Sequence, residues 1–500
     1  MTAGTRSVWM ETADPVRYDE LRQDIDVEVC VIGAGQAGLA TAHALVQEGV
    51  RTAILDKSQP GSGESGRTSA HLTSWLDDGC ALIAREHGAE TMRQVAASHA
   101  AAIDWIENVA GAAGIECGFR RIPAFLFSVH DDRAERLQRE REAGLAAGLQ
   151  VRLEEPPPFD PFGHGLALRI DDQATYHPLR FLYGLATATV AAGGAIYGNT
   201  FVTAVKADDE GVTIETRAGA KVRARACVVA TNTSIADYVS THTKQAPYRT
   251  FVTTFAIEPG SIPDAMYWDD GDPYHYVRVV REAGGGELLL VGGEDHKSGQ
   301  ADDGAARHDR LEAWAREHFP GLRERRHAWS GQVFEPNDGL GLSGRQPGSE
   351  HVYMISGDSG EGLTNGVAGG LLVSDLITGR ANPLESVYDP RRLPKNLKEF
   401  AKENLNVAKV FTLDRLRAGM GESVDDLERD AGRVIRRNGD AIAAYRAPDG
   451  SLHECSALCT HLGCVVHWNS LERSWDCPCH GSRFDPYGGV ITGPTMTPLE

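Results

Sequence analysis

The chain has 500 residues, 70 acidic and 50 basic, for a formal net charge of −20. That length allows two to four domains and a large core, and 41% hydrophobic with 24% charged residues is ordinary for a water-exposed globular protein. The acidic balance argues against nucleic acid or anionic membranes as partners, and no run reaches the ~18 apolar residues of a membrane span.

Residues 1–24 have no apolar core and no twin arginine, so they read as an arm packed on the next domain rather than a signal peptide. Val27 to Ile32 is a strand-like apolar run. It opens into Gly33-Ala34-Gly35-Gln36-Ala37-Gly38, then a helical stretch to Gly49, then a second strand from Thr52 to Leu55 ending at Asp56. Strand, G-x-G-x-x-G, helix, strand and acid form the dinucleotide-binding fingerprint in its proper context. Gly33, Gly35 and Gly38 let the backbone approach a pyrophosphate at a helix N-terminus, and Asp56 is placed for a ribose hydroxyl.

The following segments select FAD over NAD by resemblance. Gly61 to His71 (GSGESGRTSAH) resembles the flavin-contacting loop of the D-amino-acid-oxidase-like FAD oxidoreductases. Ile355 to Thr364 (ISGDSGEGLT), followed by a small-residue helix, resembles that family's second flavin segment. Cys227 to Asn232 resembles its "ATG"-type strand end, with Asn232 in place of glycine. Trp329-Ser330-Gly331 through Asp338-Gly339, with Ser343-Gly344-Arg345, resembles the strand and turn before the final segment. The likeness spans most of residues 25–390. It implies a flavin ring near Arg67, Thr68, Gly357, Asp358, Gly360 and Gly362, and relatives that carry a C-terminal Rieske domain.

Two inserts are expected to build the substrate domain. Residues 86–149 show helical apolar spacing over Ala89–Ala110 and Asp131–Gly148. Residues 246–324 alternate apolar and polar over Tyr248–Ile257, Tyr274–Val280 and Glu287–Val291, as strands do, before a helix from Asp303 to Phe319. The flavin domain is then discontinuous, over 25–85, 150–245 and 325–390. Residues 391–421 read as a helical connector, and 422–500 as the last domain.

That last domain carries Cys459-Thr460-His461 and, fifteen residues on, Cys477-Pro478-Cys479-His480. Two thiolates and two imidazoles suit a Rieske [2Fe–2S] centre, with Cys₂ on one iron and His₂ on the other. The alternative is a structural Cys₂His₂ zinc site, which leaves Cys464 and Cys479 unexplained. These two sit at matching places in the two loops and look like a disulfide clamp. The segment resembles a Rieske domain of the cytochrome-bc type. By that likeness Cys459 and Cys477 hold the buried iron, and His461 and His480 the outer one. Ser482 falls where the pattern bonds a bridging sulfide, and Phe484 where it has a tyrosine bonding a ligand sulfur. Losing that bond places the potential below the top of the Rieske range. Gly493-Pro494-Thr495 resembles the loop that covers the cluster, and a closing strand is expected beyond Glu500. Cys30, Cys80, Cys117 and Cys227 are scattered, as in a cytoplasmic protein, and Cys455 is left over as a thiol.

The architecture implied is an α/β Rossmann-type FAD domain, of D-amino-acid-oxidase and glutathione-reductase kind, with an α+β substrate domain and a C-terminal all-β Rieske domain. A flavin passes electrons in pairs or singly, and a [2Fe–2S] centre takes one at a time. The combination implies a dehydrogenase that oxidises a C–N bond of an amine or N-alkyl amino acid and delivers electrons through the Rieske centre to an external acceptor. The arginine that amino-acid-oxidising relatives often place after the Trp-x-Gly turn is missing, since the stretch reads Gln332-Val333-Phe334-Glu335. N-methylated or polyamine-like substrates are therefore at least as apt as α-amino acids. His71 and Tyr276 are candidates to line the pocket, against a plain packing role for each. No acid–base residue is nominated. The alternatives are a reductase or monooxygenase-linked carrier fed through the Rieske domain by a donor protein, or a redox sensor.

Overall fold

A computed structural model describes residues 5–236 and 241–500. The first four residues of the expected arm lie outside the described residues. The rest of the arm packs on the flavin domain. Ser7 caps the short helix Val8–Thr12, Val8 and Trp9 are buried, and Trp9 Nε1 donates to the Thr68 carbonyl at 2.7 Å.

Ile25–Ile32 becomes a central strand because its second half is apolar on both faces and buried on both. The eight-stranded sheet around it runs Leu342–Arg345, Val352–Ser356, Lys221–Val229, Ile25–Ile32, Thr52–Leu55, Ala195–Tyr197. The last five are mutually parallel and the first is antiparallel. A hairpin, Val202–Ala207 and Val212–Thr216, extends the sheet from Lys221–Val229. Helices Gln36–Gln47 and Gly362–Thr378 lie against each other through small residues. A Cβ on Gly370 would sit 3.1 Å from the Thr41 nitrogen, so the two helix starts can converge on one place.

The second, nine-stranded sheet runs Arg325–Pro336, Gln245–Ile257, Glu287–Lys297, His275–Arg281, Met266–Asp269, Arg120–Phe127, Ala167–Thr175, His71–Leu72, with Val151–Glu154 beside Ala167–Thr175. It draws on more of the chain than the two inserts. His71–Leu72, Ala167–Thr175 and Arg325–Pro336 come from segments expected in the flavin domain. The reason is pairing: Arg325–Pro336 bonds along nearly all of Gln245–Ile257, a partner that strand alternation alone does not identify. The helices expected in the inserts form as Ala89–Ala112, Arg133–Ala146 and Gly304–His318, and the connector carries Leu397–Arg417.

The C-terminal domain is antiparallel throughout. Ala431–Arg437, Asp440–Arg446 and Leu452–Ser456 form one sheet, and His467–Asn469, Ser474–Asp476, Arg483–Phe484 and Val490–Thr492 the other. Its core gathers Trp468, Trp475, Phe484 and the cysteines of both ligand loops. The Glu500 carbonyl accepts from the Ser456 nitrogen beside the first sheet.

Candidate functional site

A cavity of about 760 Å³ lies between the two large sheets and reaches the Rieske domain at Val490, Thr492 and Thr495. Gly33, Gly35, Asp56, Arg67, Thr68, Asp358, Gly360 and Gly362 line it, as do His71 and Tyr276. Its size suits an organic cofactor together with a small substrate.

The cavity's dinucleotide end is shaped by glycines. Gly33 has φ +106° and a Cβ there would meet the Ala230 carbonyl oxygen at 2.4 Å, so no other residue fits. Gly38 and Gly357 do not reach the wall. A Cβ on Gly38 would fall 1.9 Å from the Gly33 oxygen, so it lets the helix close on the strand, and Gly357, at φ +68°, packs against Pro336. Asp56 accepts from Ala34 N at 2.7 Å and Ser58 N at 2.8 Å, which ties the glycine loop to the second strand. The cradle therefore fits a pyrophosphate over a helix N-terminus.

Arg67 lines the cavity, as expected, and also bridges to the Rieske domain. Its guanidinium donates to Ser330 O (2.9 Å) and Thr5 O (2.9 Å) and lies 3.2 Å from Glu472. His71 sits edge-on to Tyr276, with ring centroids 5.5 Å apart. Burial, with Arg278 adding to it, pushes the His71 pKa down to about 3, so the ring is neutral. Its Nδ1 meets Ser69 Oγ at 2.9 Å, and its Nε2 has no hydrogen-bond partner. The Tyr276 hydroxyl bonds Thr250 Oγ1 at 2.8 Å, and burial raises its pKa.

The opposite end is walled by carboxylates, of which the sequence singled out only Asp358 as a site residue. Asp77, Asp295, Glu335, Asp358 and Glu361 all line it. Burial raises each, and for Asp77 the neighbouring Glu361, Asp78 and Asp295 raise it further. Asp295 and Asp358 are pushed up to about 6. Glu335 bonds Ser359 Oγ at 2.9 Å, and Glu361, 3.1 Å from His99, keeps Oε1 without a hydrogen-bond partner. Lys57 and Arg67 are the cavity's only lysine and arginine among the described residues; Lys57 follows Asp56 of the dinucleotide site, and the Arg67 charge is already paired with Glu472.

In the Rieske domain two matching turns present the ligand candidates. Gly463 N donates to Cys459 O (2.8 Å) and Gly481 N to Cys477 O (3.1 Å), with Gly463 at φ +77° and Gly481 at φ +76°. A disulfide joins Cys464 to Cys479, with Cα atoms 6.5 Å apart. Cys477 Sγ lies within 4.8 Å of both bridged sulfurs, but those two, being oxidised, offer no thiolate. The His461 and His480 rings are 5.0 Å apart and nearly perpendicular. His480 is buried and its Nδ1 has no hydrogen-bond partner, as an atom reserved for a metal would be. A hydrogen bond from Cys477, with backbone N–H groups and Ser482, draws the Cys459 thiol down to about 7. Phe484 is fully buried, and Thr495 of the covering loop bonds Thr460 at 2.7 Å. The donor set fits a [2Fe–2S] cluster.

This domain is docked on the flavin domain through a charged seam. Glu472 lies 3.2 Å from Arg67, 3.9 Å from Arg249 and 4.0 Å from Arg483, and accepts from Ser330 Oγ at 2.6 Å. Burial alone would raise its pKa. The three guanidiniums overcome that and hold it at about 2. Gln332 Nε2 donates to Gly481 O at 3.0 Å. His242 places its ring 5.0 Å from His461 and 6.0 Å from His480. Sequence reading missed Glu472 and His242, and neither carries a local signal.

Fold and site together define a flavoprotein with an iron–sulfur domain. Residues 28–376 match the FAD dependent oxidoreductase family, DAO, and residues 420–500 the Rieske [2Fe-2S] domain. The chain belongs to the DAO family of FAD-dependent oxidoreductases, binds FAD and a [2Fe–2S] cluster, and is an enzyme. It is 29% identical over 496 residues to YhfW of Bacillus subtilis, which is named for a Rieske 2Fe-2S iron–sulfur centre, covering 98% of this chain and 96% of that one. Its Rieske segment is 39% identical over 75 residues to the cytochrome b6-f complex iron-sulfur subunit of Chlorobaculum tepidum, covering 15% of this chain and 41% of the subunit. The fold is shared with glycine oxidase from Geobacillus kaustophilus (TM-score 0.60, 19% identity, 74% of this chain and 99% of that one). It is shared equally with L-proline dehydrogenase from P. horikoshii (TM-score 0.60, 18% identity, 74% and 98%). No helix among the described residues is long and apolar enough to cross a membrane.

Proposed function

We propose that the protein is a dehydrogenase that oxidises a C–N bond of a cationic amine and passes the electrons through its Rieske centre to an external acceptor protein. The carboxylate wall of the cavity carries this reading. Asp77, Asp295, Glu335 and Glu361 face a space with no cationic side chain at that end, so an ammonium is the complement they lack. An N-alkyl amino acid fits less well, because its carboxylate would meet Glu335 rather than an arginine.

In this reading FAD lies along Gly33, Gly35 and Asp56, with the ring end near Thr68, Asp358, Gly360 and Gly362. Gly38 and Gly357 support that site from behind. Cys459 and Cys477 ligate one iron, and His461 and His480 the other. Bound FAD supplies the two-electron acceptor, and the cluster takes electrons one at a time. The protein's own part is to hold the substrate and move its proton. An ammonium must lose a proton before the adjacent C–H bond can yield hydride. Asp295 and Asp358, at about 6, are suited to take it near neutral pH. Neutral His71 and Tyr276 then orient the amine without opposing its charge. A cytoplasmic location is part of the proposal.

The test is anaerobic mixing of the FAD-loaded protein with mono-, di- and polyamines, N-methyl amines and N-methyl amino acids. Bleaching of the flavin band by amines, followed by the cluster's reduced EPR signal, is expected. If no amine bleaches it while a reduced ferredoxin fills both centres, the flow is reversed and the dehydrogenase reading fails.

A further inference from the structure

We propose that His242 is the positioning residue that couples the iron–sulfur centre to the flavin cavity, so that the cluster receives its electron on its histidine face, from inside the molecule. The inference rests on the ligand set proposed above. His242 belongs to the flavin-binding half of the chain, yet it is 3% exposed and packs edge-on against His461. From it a chain of polar contacts runs back to the cavity. Its Nδ1 is 3.3 Å from Thr233 Oγ1, to which Gln245 Nε2 donates at 3.3 Å. The Gln245 Oε1 accepts from Ser356 Oγ at 3.0 Å, and Ser356 also donates to Asn232 O at 2.8 Å. Ser356 and Asn232 both line the cavity. A second limb is shorter: Gln332 lines the cavity and bonds Gly481, the residue after His480.

The seam around these contacts is tight at three glycines. A Cβ on Gly481 would meet Gln332 Nε2 at 2.6 Å, one on Gly493 would meet Ile235 at 2.8 Å, and one on Gly299 would meet the Asp476 carbonyl at 2.7 Å. Electron transfer falls off faster across gaps than along bonded and hydrogen-bonded contacts, so a continuous line of polar contacts between two redox centres has a direct use. The step moves one electron from the reduced flavin to one ferric iron, which becomes ferrous. The proton given up on the flavin side passes to a cavity carboxylate, with Asp358 on that wall. Two such steps empty the flavin, and the external acceptor removes each electron in turn. His242 positions the imidazole ligands and carries the contact onward, and it is not itself oxidised or reduced.

The test uses holoenzyme with full FAD and iron content. A sub-stoichiometric pulse of radiolytic reductant is followed by optical re-equilibration between flavin and cluster, and the EPR spectrum and midpoint potential of the cluster are read separately. His242→Phe, which keeps a ring but no polar contact, should slow re-equilibration at least tenfold and shift the EPR line shape. Thr233→Val cuts the chain one link away and should slow re-equilibration with the EPR spectrum unchanged. His453→Ala, on the exposed strand Leu452–Ser456, should change neither. Wild-type rates in both His242→Phe and Thr233→Val would overturn the proposal. If His242→Phe loses its cluster, Thr233→Val decides alone. A wild-type protein without a Rieske-type EPR spectrum would instead refute the ligand set.

Discussion

Arg67 and Glu472 form an ion pair, 3.2 Å apart, that joins the flavin-binding loop to the Rieske domain from 405 positions away in the chain. Glu472 and its second partner, Arg249, are each 1% exposed at the side chain. Removing one member of a buried charge cluster leaves the others unpaired, at about 3–5 kcal/mol. Glu472→Gln should therefore destabilise the docked protein by about that amount and open the seam to protease. Calorimetry and limited proteolysis check this, and a variant that melts like wild type would show the seam to be passive. With its pKa held near 2, well under its ordinary 4.5, Glu472 contributes fully above about pH 4.5. That contribution, ~3 kcal/mol at neutrality, drains away as pH falls through about 2.

Two glycines of the dinucleotide loop, Gly35 and Gly38, should fail differently. Gly35→Val puts a side chain where only Ser65 is near, 3.0 Å away, so the protein should fold with its cluster and lack FAD. Gly38→Val collides with the Gly33 carbonyl and should not fold. Flavin and iron content of the soluble fraction distinguish the two. Full FAD in Gly35→Val would remove this residue from the cofactor site.

His461→Cys replaces a neutral imidazole by a thiolate. The cluster should persist with a lower midpoint potential, read by redox titration with EPR. Phe484→Tyr should move it the other way, by offering a hydroxyl toward the ligand sulfurs. A protein carrying stoichiometric zinc without acid-labile sulfide would end this line.

Cation affinity should rise with pH. A cation binds the ionised carboxylate, and Asp295 and Asp358 ionise near 6, so Kd for a non-oxidisable diammonium should fall as pH goes from 5 to 7. The protein without such a ligand shows the opposite trend. Carboxyls raised above their unfolded values cost stability as pH climbs through about 6. Asp77→Asn should weaken the diammonium about tenfold, worth ~1.4 kcal/mol, and leave a neutral amide ligand unaffected. Calorimetric titration at several pH values is the check.

How much of this was legible in the sequence follows from locality. The dinucleotide loop and the C-x-H and C-x-x-H loops are each written within a few residues, so their chemistry is readable in order. The carboxylate wall is not, because Asp77, Asp295, Glu335 and Glu361 come from four separate segments that only the two sheets bring together. Arg67 has a second role that its neighbours in sequence do not show. It lines the cavity beside Thr68, and its guanidinium also answers Glu472, which only the folded chain places there. His242 has no motif around it and gains meaning only from the two histidines it meets.

The charged seam also bears on modularity. Arg67 and Arg249 on one side meet Glu472 and Asp476 on the other, so the flavin half supplies counter-charge that Arg483 alone, within the Rieske domain, would have to provide. A boundary that is clean in sequence is therefore not a place where the protein can be cut. Expressed without its iron–sulfur partner, the flavin half would carry two arginines without their carboxylate partners. A free-standing ferredoxin could not replace the missing half unless it brought carboxylates to the same two positions.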